Sequence, residues 1–150
     1  LVRAGEILGA GRHQRAGERP AEVRALNAAG ALAHGATVYV TLEPCCHHGR
    51  TPPCTDALLK AGISRLVAAM PDPNPQVAGR GLAILRDAGV TVDCGLLEAE
   101  AQALNPGFIQ RMTTNRPFVR IKLAMSLDGR TALVSGESQW LTGEAARQDV

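Results

Sequence analysis

The chain has 150 residues, of which 45% are hydrophobic and 20% charged, and a formal net charge of +2. This length suits a domain with a real core, and the composition is that of an ordinary soluble globular protein. No apolar run reaches the roughly 18 residues of a membrane span, no signal peptide is visible, and few aromatic residues accompany the scattered arginines. We therefore expect a cytoplasmic protein without a membrane or nucleic-acid partner.

The sequence contains four cysteines, two of them adjacent. They form a poor disulfide framework and fit a cytosolic metal or thiol site better than a secreted, disulfide-bonded domain. The chain begins at Leu1, without methionine and within an expected strand. This start indicates a segment of a longer protein.

Helices and strands are predicted to alternate as far as about Met112. In chain order they are a hairpin (1–9), a helix (21–33), a strand (37–42), a helix (54–61), a strand (65–69), a helix (81–88), a strand (91–95) and a helix (97–108). Strands joined through a helix should be parallel, whereas the opening hairpin is antiparallel. The pattern therefore predicts an α/β fold with a mixed sheet and helices on both faces.

The pattern changes at residues 113–117, which are typical of a linker. Residues 118–124 then alternate with period two, Asp128-Gly129 is a hairpin turn signal, and residues 131–134 return. The sequence thus predicts one domain over 1–112, a linker over 113–117, and the opening hairpin of a second, incomplete domain over 118–150.

The most informative segment runs from Thr41 to Cys54, Thr-Leu-Glu-Pro-Cys-Cys-His-His-Gly-Arg-Thr-Pro-Pro-Cys. It follows the apolar strand, so Cys45 should lie at the end of the sheet and Cys54 at the start of the next helix. Upstream, Glu22 lies in the first turn of a helix. A carboxylate at a helix start followed by a Pro-Cys…Cys loop is the arrangement of zinc deaminases. Two features depart from that pattern: eight residues separate the cysteines instead of two, and Pro20 stands where a histidine is expected.

Several segments together resemble the bacterial bifunctional riboflavin-biosynthesis deaminase–reductases. They are residues 11–18, 39–45, 47–54, 72–81, 104–108 and 122–140. The resemblance implies a three-layer α/β/α domain of the cytidine-deaminase fold, followed by the opening hairpin of a dihydrofolate-reductase-like domain. The wide cysteine spacing is specific to this family among zinc deaminases.

The resemblance also implies two activities in riboflavin biosynthesis. The first is zinc-dependent hydrolytic deamination of a small phosphorylated pyrimidine, 2,5-diamino-6-ribosylamino-4(3H)-pyrimidinone 5′-phosphate. The second, in the full-length protein, is reduction of the ribosyl side chain with NADPH. Whether the full-length protein forms a homo-oligomer stays open.

Individual roles follow from the same resemblance. It implies Glu22 as the catalytic proton carrier, and Cys45 and Cys54 as zinc ligands. The other implied positions are His13, His48, Arg50 and Ser138 for the substrate and Lys122, Ala124 and Trp140 for NADPH. The alternatives are that the histidines are merely solvated and that Trp140 packs in a core. Cys46 is expected to be incidental and Cys94, in an apolar strand, to be a small core residue.

Pro20 is the main difficulty for the proposed chemistry. A proline nitrogen within a chain has neither a proton nor an available lone pair, so it cannot bind zinc, although proline suits the first turn of a helix. The fold should survive while the third protein ligand is missing; His13 or a second water could fill its place. Two further interpretations stay open: a catalytically impaired relic, and a different zinc-dependent nucleoside or base deaminase.

Overall fold

The computed structural model describes residues 1–15 and 17–149. Its elements are β1 (Val2–Arg3), β2 (Glu6–Ile7), α1 (Ala21–Ala29), a 3₁₀ helix (Gly30–Ala33), β3 (Thr37–Val40), α2 (Cys54–Lys60), β4 (Arg65–Ala68), α3 (Arg80–Asp87), β5 (Thr91–Cys94), α4 (Glu98–Leu104), α5 (Pro106–Thr114) and α6 (Glu144–Gln148). The chain divides into two compact units, Leu1–Phe118 and Val119–Val150. Among the described residues, no helix is both long and apolar enough to cross a membrane.

The first unit is built on a five-stranded sheet with the order β2-β1-β3-β4-β5. Strand β1 pairs antiparallel with β2 and with β3, whereas β3, β4 and β5 are parallel. The mixed sheet predicted from the sequence is therefore confirmed. The parallel strands end on the same side, which brings the loops after β3 and β4 together.

Alternating residues of the central strands cover the two faces of the sheet. Val38 and Leu66 are buried on the face that packs against α1, α2 and α3, where Leu58 and Leu85 complete the core. On the opposite face, Val67 lines a cavity together with residues of α4. Helices thus lie on both faces, as a three-layer α/β/α fold requires.

The helix predicted over 97–108 is in fact two helices, α4 and α5. Pro106 lacks an amide proton and disfavours the helical conformation of the residue before it, so Asn105 adopts φ −134° and ψ 52° and separates them. Helix α5 then continues to Thr114, into the segment predicted as a linker. The prediction of one continuous helix was therefore wrong.

The predicted hairpin of the second unit forms its turn but not its strands. The Gly129 amide donates to the Ser126 carbonyl, and the Ser126 amide to the Arg130 carbonyl, each at 2.9 Å. Residues 118–124 and 131–134 contain no β-strand, and their large apolar side chains, including Val119 and Ile121, are exposed. A two-stranded hairpin is marginal without a packed face, which explains why the period-two pattern does not produce a ladder.

Cys94 also differs from expectation. It ends β5, the edge strand of the sheet, and its side chain is exposed. An edge strand is covered less completely than a central one, so apolar composition alone overestimated burial at this position.

Candidate active site

Two cysteines meet at the end of the central strands. Cys45 lies in the loop after β3, and Cys54 is the first residue of α2. Their sulfur atoms are 3.3 Å apart, and the Cys54 amide donates to the Cys45 sulfur, also at 3.3 Å. The Thr55 amide donates to the Cys45 carbonyl at 3.2 Å, which closes the loop. The structure therefore pairs the two thiols despite the eight residues between them.

The two thiols have opposite tendencies to ionise. Donation from the Cys54 side chain, helped by the Cys54 amide, lowers the pKa of Cys45 to about 6, although burial and the charge of Glu22 oppose this shift. The pKa of Cys54 is raised by its hydrogen bond to Cys45, then by burial and by the charge of Glu22. The hydrogen bonds within the pair therefore favour the thiolate form of Cys45 and the thiol form of Cys54.

Glu22 lies in the first turn of α1, half-buried, and its charge acts on both thiols. Together with His13 and Pro20 it lines a cavity of about 490 Å³ beside the end of β3. The structure thus brings Glu22, Cys45 and Cys54 close together and places His13 at the same cavity. This arrangement can hold a small polar molecule within reach of a carboxylate.

The available ligand atoms decide whether these residues could hold zinc. Two thiolate sulfurs are suitable zinc ligands, but a zinc site in a hydrolytic enzyme uses three protein ligands. Pro20 is the N-cap residue of α1, with φ −58° and ψ 160°, and has no side-chain atom that could bind a metal. Within residues 1–15 and 17–149, no group of three His, Cys, Asp or Glu side chains is arranged to hold a metal ion. The residues present supply two ligands and do not complete a zinc site.

His48 and Arg50, predicted as substrate contacts, lie in the loop between the two cysteines and are exposed. Neither lines the cavity that contains Glu22 and His13. The Arg50 side chain does face Gly17, since its Cδ would lie 3.8 Å from a Cβ added there. Arg50 is therefore close to the segment that follows His13 in the sequence.

Sequence reasoning missed Glu43. Its side chain is 3% exposed and accepts four backbone N–H bonds from residues 72–82. The one available signal was its position, directly before Pro-Cys at the end of a buried strand, where the next parallel strand also ends.

In the second unit, the predicted NADPH residues Lys122, Ala124 and Trp140 and the predicted substrate residue Ser138 line one cavity. The Trp140 ring is 69% exposed and lies 4.4 Å from the Arg147 guanidinium carbon. The alternative that Trp140 packs in a core is therefore not what the structure of this unit shows.

Two family models match the chain. Residues 1–70 match the cytidine and deoxycytidylate deaminase zinc-binding region, and residues 117–150 match the RibD C-terminal domain. The chain is 63% identical over all 150 residues to the riboflavin biosynthesis protein RibD of Escherichia coli, and 58% identical to that of Haemophilus influenzae. The chain is thus similar over its whole length to RibD proteins.

Solved structures of RibD-family proteins show the same fold. Acinetobacter baumannii RibD matches 99% of the chain at 57% identity with a TM-score of 0.91. A Thermotoga maritima protein described as a diaminohydroxyphosphoribosylaminopyrimidine deaminase and 5-amino-6-(5-phosphoribosylamino)uracil reductase matches 99% of it at 41% identity with a TM-score of 0.88. The chain spans 41% of the E. coli protein and 42% of the A. baumannii chain, or about two fifths of these RibD relatives. The cytidine-deaminase-like α/β fold expected from the sequence is confirmed.

Proposed function

We propose that the first unit is the deaminase domain of a riboflavin-biosynthesis enzyme. Its substrate would be 2,5-diamino-6-ribosylamino-4(3H)-pyrimidinone 5′-phosphate, from which it removes an exocyclic amine by hydrolysis. The observation that carries this proposal is the close group of Cys45, Cys54 and Glu22 beside a cavity, in a chain similar to RibD proteins. Within the first unit, the proposed domain covers residues 1–112 and is followed by a linker over 113–117, which begins with the last two residues of α5.

Hydrolysis of an amine from a pyrimidine ring needs proton transfer at two points. The attacking water must lose a proton, and the ring nitrogen and the departing ammonia must gain one. Glu22 is the carboxylate at the cavity and carries these protons. In zinc deaminases the metal activates the water. Because Pro20 provides no ligand, the site has one zinc ligand too few. The proposed proton carrier, Glu22, is present.

A histidine at the cavity and an arginine near it suit a phosphorylated substrate. His13 lines the cavity, and Arg50 approaches the neighbouring segment at Gly17. A guanidinium forms charge-assisted hydrogen bonds with phosphate oxygens. We propose that His13, His48 and Arg50 bind the substrate, with Arg50 nearest its phosphate.

For residues 118–150 we propose the beginning of the NADPH-dependent reductase domain. Lys122, Ala124 and Trp140 would contact the cofactor, and Ser138 the sugar that is reduced. Their common cavity and the match to the RibD C-terminal domain support this assignment.

A second candidate is a deaminase domain that has lost most of its activity. Pro20 favours it, because this residue occupies the start of α1 where the third zinc ligand is expected. In this case the fold and the thiol pair persist without efficient turnover.

Ammonia release from the phosphorylated pyrimidine, with zinc supplied, separates the two candidates. The proposed function predicts release by the chain itself, loss of release in Glu22→Gln, and unchanged release in Glu98→Gln, an exposed control in α4. Release that appears only after Pro20→His supports the impaired domain. Absence of release from both the parent and Pro20→His, with both folded and loaded with zinc, would overturn the proposed activity.

A further inference from the structure

The carboxylate of Glu43 joins two loops at the end of the sheet. Its Oε2 accepts the amides of Asp72 at 2.9 Å and Gly79 at 2.8 Å. Its Oε1 accepts the amides of Gly81 at 2.8 Å and Leu82 at 3.2 Å. Oε2 thus joins the loop after β4 to Gly79, the residue before α3, and Oε1 accepts from the first turn of α3. The Glu43 side chain therefore links the loop after β4 and the start of α3 to the end of β3 by four hydrogen bonds.

The same connection fixes the backbone that leads to Cys45. The Glu43 amide donates to the Met70 carbonyl at 3.0 Å, and Pro44, which follows, is fully buried. A Cβ added at Gly81 would collide with the Pro44 carbonyl oxygen, so α3 begins in direct contact with this segment. The chain between Glu43 and Cys45 therefore has little freedom to move.

We infer that Glu43 is a positioning residue for the Cys45 thiol. By accepting four N–H groups on one side of Pro44, it holds the Cys45 sulfur at its 3.3 Å separation from Cys54 on the other side. An effect of Glu43 on turnover rests on the proposed function. The coupling between Glu43 and Cys45 is independent of it.

The chemistry of the carboxylate explains why glutamate is needed. In Glu43→Gln, one acceptor oxygen becomes an NH₂ donor that faces two backbone donors, so two hydrogen bonds are lost and two amides are left unsatisfied. Aspartate is one methylene shorter and cannot reach both pairs of amides from the same backbone position. Neither substitution can keep all four bonds.

A purely structural role would lower stability without a specific effect on Cys45. The two roles are separated by the alkylation rate of Cys45 in the folded chain at alkaline pH, in a Cys46→Ser and Cys94→Ser background. Leu85→Ala is the matched control, because Leu85 is a fully buried core residue of α3 that does not bond to Glu43. Temperatures are chosen so that both variants have the same folded fraction.

We expect Glu43→Gln to increase the alkylation rate by roughly tenfold or more, since two charge-assisted hydrogen bonds are lost. Leu85→Ala should stay within about twofold of the background, because it weakens the core without releasing the loop. Equal rates in Glu43→Gln and Leu85→Ala would overturn the inference.

Hydrogen exchange of the Cys46→Ser and Cys94→Ser background provides a second test, in which Glu43 and the core are unchanged. Coupling is reciprocal, so alkylation of Cys45 should accelerate exchange at the amides of Gly79 and Gly81. The Thr91 amide, which donates to the Ser64 carbonyl at 3.1 Å at the start of β5, serves as control. Unchanged exchange at Gly79 and Gly81 contradicts the inference. Neither test depends on turnover. A failure of the inference about Glu43 can therefore be told apart from a failure of the proposed deamination.

Discussion

Cys45 and Cys54 lie with their sulfurs 3.3 Å apart, and the backbone amide of Cys54 points at the sulfur of Cys45. This relationship favours ionisation of the first cysteine and opposes ionisation of the second. It also means that a metal at this position would replace a hydrogen bond that already holds the two side chains together.

Serine substitutions should separate the two paired cysteines from the other two. We expect Cys45→Ser or Cys54→Ser to remove whatever zinc the chain binds, because each takes away one of the two sulfur ligands. Cys46→Ser and Cys94→Ser should leave zinc content nearly unchanged. Metal analysis after dialysis measures this, and an equal loss in Cys46→Ser would show that the ligands have been assigned one residue out of register.

The reactivity of Cys45 should depend on pH in a way that reports its partner. Without metal, its alkylation should rise with a midpoint near pH 6. In Cys54→Ala the donor side chain is lost, so the midpoint should move up toward 9.0, the ordinary value for a cysteine. A midpoint that does not move in Cys54→Ala would show that Cys54 is not the cause of the lowered pKa.

Stability should follow the same ionisation. The folded-state pKa of Cys45 lies below its ordinary value of 9.0, so its ionisation contributes stability that is full above that value and is lost as pH falls toward about 6. In the metal-free Cys54→Ala variant the Cys45 pKa is nearer normal. Chemical denaturation should therefore show a free energy of unfolding that depends less on pH between about 6 and 9.0. An identical pH dependence in both proteins contradicts this assignment.

Gly81→Ala should destabilise the first unit. The added Cβ would meet the Pro44 carbonyl oxygen, which is backbone and cannot rotate away. Overpacking of this kind costs on the order of 1–3 kcal/mol. Thermal unfolding measures the loss. Gly143→Ala, with nothing within 4 Å of the added carbon, is the control and should leave the melting temperature of the first unit unchanged.

Reduction by the chain alone is expected to be undetectable. The described part of the second unit contains one helix, α6, of five residues and no strand, whereas hydride transfer needs the cofactor and the sugar held in near-attack geometry. NADPH oxidation in the presence of the deaminated substrate measures this. Turnover above the rate without protein would contradict the proposed division of the chain.

Much of the first unit could be predicted from local patterns. The β-branched run that contains Val38 and the motif that contains Cys45 and Cys54 gave the central strand and the thiol pair, because both depend on neighbours in sequence. The break at Asn105 was also encoded, in Pro106, but the apolar pattern across it suggested one helix.

Other features depend on contacts that no local pattern contains. The role of Glu43 arises only when the loop after β4 and the start of α3 present four amides to it. The exposure of Cys94 reflects its place on an edge strand, and the hairpin around Asp128 lacks a packed face. Each of these is a property of neighbours in space.

The central claim is that this site is a deaminase site one ligand short, and Pro20→His tests it most directly. The new imidazole would begin the same helix as Glu22, two residues before it, and complete a His-Cys-Cys donor set with one open position. The measurement is zinc affinity, with ammonia release followed in the same protein and in its Glu22→Gln derivative. We predict tighter zinc binding and ammonia release, and in Glu22→Gln loss of release while zinc stays bound. Zinc binding no tighter in Pro20→His than in its parent would contradict the account.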